Sequence, residues 1–173
     1  MLTEEALKDF RDYVVSQSRR NLTIKDRNVT KKLYNSIGGN YKVNKNSFEL
    51  SFSMEEHGMY LDKGVRGKFS GTKSPDSPFK FGSGTGRKGG LTDGINKWVR
   101  QRKFQFRNRE TGKFMSYDQT ASLIIHSIYT KGTKPTLFFT KPFENAFKRL
   151  PDELVEKYGL DVVDLMEFTT KRK

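Results

Sequence analysis

Residues 48–54 read Phe48-Glu49-Leu50-Ser51-Phe52-Ser53-Met54, with an apolar side chain at every second position for four repeats. Successive side chains of a strand point to opposite faces, so this alternation describes a strand with one buried face and one wet face. Just upstream, Tyr41 and Val43 alternate with polar residues, and Asn44-Lys45-Asn46 between the two runs has the chemistry of a turn. Together the runs predict a β-hairpin, and a hairpin with one apolar face needs another layer to lie on.

The segments on either side offer that layer. Thr3 is placed to cap a helix whose first turn holds Glu4 and Glu5, where carboxylates meet the positive end of the helix dipole. Leu7, Phe10 and Val14 follow at helical spacing, and a second, shorter helix is predicted from Asn28 to Ile37, with Val29, Leu33 and Ile37 four apart and Gly38-Gly39 ending it. Beyond the hairpin, residues 64–90 hold eight glycines, Pro75 and Pro78, and almost no aliphatic side chains, which predicts a long extended loop. Thr92 then reads as the cap of a helix carrying Ile95, Trp98 and Val99. Residues 104–115 form a basic excursion whose tip, Arg107-Asn108-Arg109-Glu110-Thr111-Gly112-Lys113-Phe114, reads as a small hairpin turning at Gly112.

Ser116 and Gln119 have the spacing of a capping box and open a third substantial helix, with Ala121, Leu123, Ile124, Ile125 and Ile128 before Gly132. Leu137-Phe138-Phe139-Thr140 reads as a short buried strand. Pro142 sits where a helix tolerates proline, in its first turn, and Phe143, Ala146, Phe147 and Leu150 carry the apolar face of that helix. After Pro151 a polar helix runs to Gly159, and the chain closes on Lys171-Arg172-Lys173. The expected architecture is one α+β domain over residues 1–150, an antiparallel sheet packed against helices, followed by a helical extension and basic tail over 151–173.

Composition is compatible with a folded core. A chain of 173 residues buries roughly 70% of its unfolded surface, and 42 of its residues are Leu, Ile, Val or Phe, 14 of them Phe, so the core is expected to be built largely on phenylalanine. With no cysteine, disulfide frameworks, thiolate zinc sites and cysteine nucleophiles are excluded, and synthesis in a reducing cytoplasm fits. The N-terminus begins with acids where an export signal needs a basic segment and then an apolar one, so export is not expected.

Catalytic chemistry finds little to work with. His126 lies inside an apolar helical run and reads as a structural side chain, and His57 follows Glu55 and Glu56 at a strand end, where three adjacent residues converge poorly on one cation. Gly84-Thr85-Gly86-Arg87-Lys88-Gly89 matches G-x-G-x-x-G but lacks the preceding buried strand and parallel βαβ context that dinucleotide binding requires. No Walker A or nucleophile-elbow sequence occurs. The expectation is a protein that is not an enzyme, with no catalytic, cofactor-binding or metal-binding residues and no bound cofactor.

The net charge of +13 points instead to an acidic partner. Its excess is concentrated. Lys63, Arg66, Lys68, Lys73, Lys80, Arg87 and Lys88 lie in or beside the glycine-rich loop, and Lys97, Arg100, Arg102, Lys103, Arg107, Arg109 and Lys113 in the second segment. The first segment, with Phe79 and Phe81, is a candidate contact with a partner or a neighbouring subunit. The second, from Arg100 to Lys113, is a candidate contact with DNA or an acidic protein, and its interleaved Phe104 and Phe106 suit either core packing or stacking on bases. A sequence-independent nucleic-acid-binding protein is therefore one expected function.

A resemblance organises these features. Leu33-Tyr34-Asn35-Ser36-Ile37, Phe52-Ser53-Met54-Glu55, Tyr60-Leu61-Asp62-Lys63-Gly64-Val65, Ser77-Pro78-Phe79-Lys80-Phe81, Lys97-Trp98-Val99 and Arg109 to Phe114 occur in that order. The series ends with the long stretch from Ile128-Tyr129-Thr130-Lys131-Gly132-Thr133 to Thr140-Lys141-Pro142-Phe143. In this order and spacing the chain resembles the neck or tail-completion proteins of tailed bacteriophages, especially those of crAss-like and related phages. The resemblance implies an α+β fold without catalysis. It also implies assembly into a homo-oligomeric ring between portal and tail in the virion, contacts with portal or other neck and tail proteins, passing proximity to double-stranded DNA, and no membrane. The long insertion over 64–90 and the basic hairpin depart from shorter members of that family.

Overall fold

The computed structural model describes residues 2–27, 30–44, 47–84 and 89–150, and its chain divides into two compact units, 1–62 with 136–173 and 63–135. The fold is α+β, and the described residues form helices and two small antiparallel sheets.

The first unit begins with α1 (Leu2–Ile24), whose buried stripe is Leu7, Phe10, Val14, Ser18 and Leu22. These recur at three- and four-residue intervals, so one face of the helix is closed to water along its length. Next comes α2 (Lys32–Ser36), shorter than the spacing predicts; Asn28 and Val29 of the expected helix lie outside the described residues. The two strands of the expected hairpin are present: β1 (Gly38–Asn44) pairs antiparallel with β2 (Ser47–Ser53), placing Tyr41 opposite Leu50 and Val43 opposite Phe48, while Lys45 and Asn46 of the expected turn lie outside the described residues. A short helix that the sequence pattern did not announce, α3 (His57–Lys63), follows.

In the second unit β3 (Val65–Arg66) pairs with β4 (Gly132–Thr133), and between them α4 (Gly90–Gln101) packs on α5 (Tyr117–Lys131). Helix α6 (Thr140–Phe147) returns the chain to the first unit, where it packs on α1. The expected helix and tail beyond Pro151 lie outside the described residues.

Phenylalanine does form the centre of the first unit. Phe10 meets Phe143 edge-on at 5.4 Å, and Phe52 meets Phe139 at 5.4 Å and Phe143 at 6.0 Å, the tilted contacts that aromatic quadrupoles favour. Leu33, Ile37, Leu50, Phe138 and Ala146 complete the same core.

Three sequence expectations are corrected. Residues 137–139 are a turn into α6 instead of a strand, because the buried Asp62 carboxylate gathers that backbone: Oδ1 accepts from the amides of Phe139 (2.8 Å) and Thr140 (3.2 Å), and Oδ2 accepts from the Thr140 hydroxyl. Helix α4 starts at Gly90, with Gly89 in the left-handed region at φ 78°, so Thr92 lies inside the helix and does not cap it.

The glycine-rich loop, finally, is not extended over its described part. It folds back on its own unit: Arg66 N donates to Phe79 O (2.8 Å), Phe81 N to Arg66 O (2.9 Å), and Lys68 N to Tyr129 O (2.8 Å). Ser77 Oγ donates to Gly64 O at 2.6 Å, and Lys73 Nζ to Gly132 O at 3.1 Å. Gly67 and Gly132 let these backbones touch, since a Cβ on either would lie under 3.0 Å from main-chain atoms of the facing segment. The Ser116–Gln119 capping box is formed in both directions at 3.1 Å.

Candidate functional site

The two units differ in how they are held. Twelve buried apolar residues make one cluster in the first unit, whereas the buried apolar side chains described in the second are Val65, Val99 and Ala121. Main-chain hydrogen bonds and the α4–α5 contact carry much of the second unit's order, and its larger apolar side chains stay near water. Phe69 is 75% exposed, Phe114 61% and Leu123 50%, and Phe104 and Phe106 are exposed as well. Large apolar groups gathered on one small unit with many cations have the composition of an interaction surface, where aromatic residues, methionine and arginine are enriched.

Within the loop the candidate residues separate. Arg66, Phe79 and Phe81 are tied into the fold-back just described, and Phe81 packs on Tyr129 at 6.0 Å. Lys63 is half-buried at the end of α3, and Lys73 is spent on the Gly132 carbonyl. Lys68 is exposed, with its ammonium 5.3 Å from the Phe69 ring centre and 5.7 Å from that of Tyr129, so Phe69 and Lys68 form the outward tip. Arg87 and Lys88 lie outside the described residues.

In the second segment the hairpin reading holds. Asn108 N donates to Lys113 O and Gly112 N to Asn108 O, both at 2.9 Å, Met115 N donates to Phe106 O at 2.8 Å, and Gly112 takes a positive φ of 68°. Asn108 Oδ1 accepts from Glu110 N and Thr111 N, closing the turn from inside. Phe104 packs on Trp98 (5.7 Å) and Phe106 (5.1 Å), so these rings are partly packed and partly exposed. Arg100 is paired with Asp118 at 2.6 Å. Arg102, at the end of α4, Lys103 at φ 51°, Arg107, Arg109 and Lys113 are all exposed. Phe114 received no separate role from the sequence, yet the bridge between Arg107 and Phe114 brings the guanidinium 4.6 Å from its ring centre. The signal was present in the turn: Asn108 and Gly112 set the register that puts residues 107 and 114 opposite each other.

The two histidines lie in different units. His57 opens α3 in the first unit, and His126 is exposed on α5 in the second. Loss of hydration against neighbouring protein atoms pushes the His57 pKa below the usual histidine range, Glu55 opposes this and Lys32 adds to it. Among the described residues no group of three or more His, Asp and Glu could hold a metal ion. A cleft of about 510 Å³ in the first unit is lined by Asp9, Asp12, Tyr13 and Arg149 among others, but Asp12 is paired with Arg11 and Arg149 lies over Tyr13. Thr85 to Lys88 of the glycine motif lie outside the described residues, and the described segment before it offers an isolated bridge at Lys80 in place of a buried strand. No helix among the described residues is long and apolar enough to cross a membrane.

No protein-family model, no curated protein and no solved structure matches this chain.

Proposed function

We propose that this protein is a structural component of a tailed-phage virion neck, forming a ring that connects the portal and head-completion assembly to the tail and surrounds the DNA path. The observation that carries the proposal is the character of the second unit: few buried apolar residues, large apolar side chains in water, and a dense complement of cations. Such a unit gains most by burial against a neighbour, and copies that meet through two different patches close into a ring when the rotation per copy closes.

The neck assignment itself rests on the sequence resemblance, and the placement of its separated motifs supports it. Asp62 of Tyr60-Leu61-Asp62 holds Phe139 and Thr140 of the last motif, Val65 pairs with Thr133, and Ser77 holds Gly64. Stretches far apart in sequence thus interlock within each unit, as motifs that define one fold do. In this reading Lys68 and Phe69 reach a neighbouring subunit or ring, the Arg100 to Lys113 segment borders the DNA path, and the protein has no catalytic role. It is made in the host cytoplasm and ends in the particle.

Electron microscopy and mass measurement of the recombinant protein, alone and with its phage's portal, test this. Rings with a central opening are expected, as is the protein's presence in purified virions. A chain that stays monomeric with portal present and is missing from virions overturns the proposal.

A further inference from the structure

The hairpin between α4 and α5 holds an arrangement that ring formation does not require. Arg107 and Phe114 face each other across an antiparallel bridge with the guanidinium 4.6 Å from the ring centre, and Phe114 is nonetheless 61% exposed. One face of the ring is therefore backed by a cation while the rest of it meets solvent. At the turn, Arg109 and Lys113 have no ion-pair partner among the described residues, and Glu110 is the only acid between residues 104 and 115.

Three classes of polyanion could answer the charge, and they differ in what they do with the ring. The carboxylate side chains of an acidic peptide satisfy the cations but have no flat apolar face to lay on Phe114. Duplex DNA presents phosphates while its base faces are hidden in its own stack. An unpaired strand presents both, and stacking of a base on an aromatic ring is independent of base identity because every base has a π-face. We propose that the 104–115 hairpin binds unpaired nucleic acid, with a base stacked on the open face of Phe114 and with Arg107, Arg109 and Lys113 taking the flanking phosphates. A duplex meets the cations alone and passes, whereas exposed bases are retained. This goes beyond the neck reading and does not rest on it.

Fluorescence anisotropy with the full chain reads the proposal, using a labelled mixed-sequence DNA strand of about 20 nucleotides, the corresponding duplex, and polyglutamate as a competitor, at about 50 mM salt. The strand is expected to bind about tenfold or more tightly than the duplex. Phe114→Ala weakens strand binding by roughly 5- to 150-fold, the loss that removal of one base–aromatic stack gives, and leaves duplex binding unchanged.

Phe114→Trp keeps the affinity and Phe114→Leu loses it, which separates stacking from apolar contact. Lys113→Glu weakens both DNA forms and lowers the salt slope by about one. Because Phe114 is exposed, these variants are expected to melt with the parent. Equal binding of strand and duplex, or no effect of Phe114→Ala on the strand, overturns the inference. Competition by polyglutamate as strong as by the strand also overturns it and assigns the surface to an acidic protein. Strand binding without rings sinks only the neck reading, and rings without strand binding sink only this one.

Discussion

Asp62 does the most for its size. Its buried carboxylate accepts three hydrogen bonds from the start of α6, at the helix end where the dipole favours negative charge. Asp62→Ala leaves two amides and a hydroxyl unsatisfied inside the protein, with an expected loss on the order of 2–4 kcal/mol in urea unfolding. Asp62→Asn keeps one acceptor oxygen and is expected to lose about 1 kcal/mol; equal losses for the two variants would contradict this account.

His57 gives a second test, through pH. Its folded-state pKa is lowered, so near and below pH 6.5 the unfolded chain binds a proton that the folded chain resists. Stability therefore falls as pH drops from about 6.5 toward the folded value. His57→Gln is expected to flatten that fall when melting temperatures are compared between about pH 7.5 and 5.5, and identical pH profiles would refute the shift.

At the scale of elements, the clasp between the glycine loop and the end of α5 sets the sharpest demand on sequence. A Cβ at Gly67 would enter the Thr130 carbonyl, backbone against backbone, so Gly67→Ala is expected to destabilise by roughly 3 kcal/mol or more. Gly94 is the contrast: it lies inside α4 with nothing within 4 Å of an added Cβ, and Gly94→Ala should stabilise by roughly 0.5–1 kcal/mol in the same assay.

The elements that could be read from sequence are those governed by neighbours in the chain. The β1–β2 hairpin follows from alternation and a short turn, the start of α5 from Ser116 and Gln119, and the 104–115 hairpin from Asn108 and Gly112. What escaped was decided from afar. Phe138 and Phe139 have strand-like composition, yet a carboxylate 77 residues earlier in the chain turns them toward a helix. Helix α3 is too short to show a period, and Gly58 within it argues against a helix until Leu33 and Met54 are seen packed around its backbone. The basic half of the candidate surface was legible as charge; its aromatic half was not, because composition cannot tell whether Phe69 and Phe114 face inward or out.

For the whole molecule, the route of the chain matters more than any one contact. The second unit is a single continuous insertion, and the chain leaves and re-enters the first unit at adjacent points: Leu61 O accepts from Thr136 N (3.1 Å) and Leu137 N donates to Asp62 O (3.0 Å). Residues 63–135 replaced by a short Gly-Ser connector should leave a chain that unfolds in one cooperative transition, since the twelve-residue core belongs wholly to the first unit. A non-cooperative melt of that chain would show that the core depends on the insertion.

The same route dictates an order of events during translation. Residues 63–135 leave the ribosome ahead of Phe138, Phe139 and Phe143, so the unit with the fewer buried apolar residues is the first to be complete outside it. Meanwhile α1 and the β1–β2 hairpin wait with Phe10 and Phe52 uncovered until α6 leaves the ribosome. A nascent chain of this protein is thus exposed to chaperones and to mispairing through its early half, and the aromatic helix near its end is what releases it.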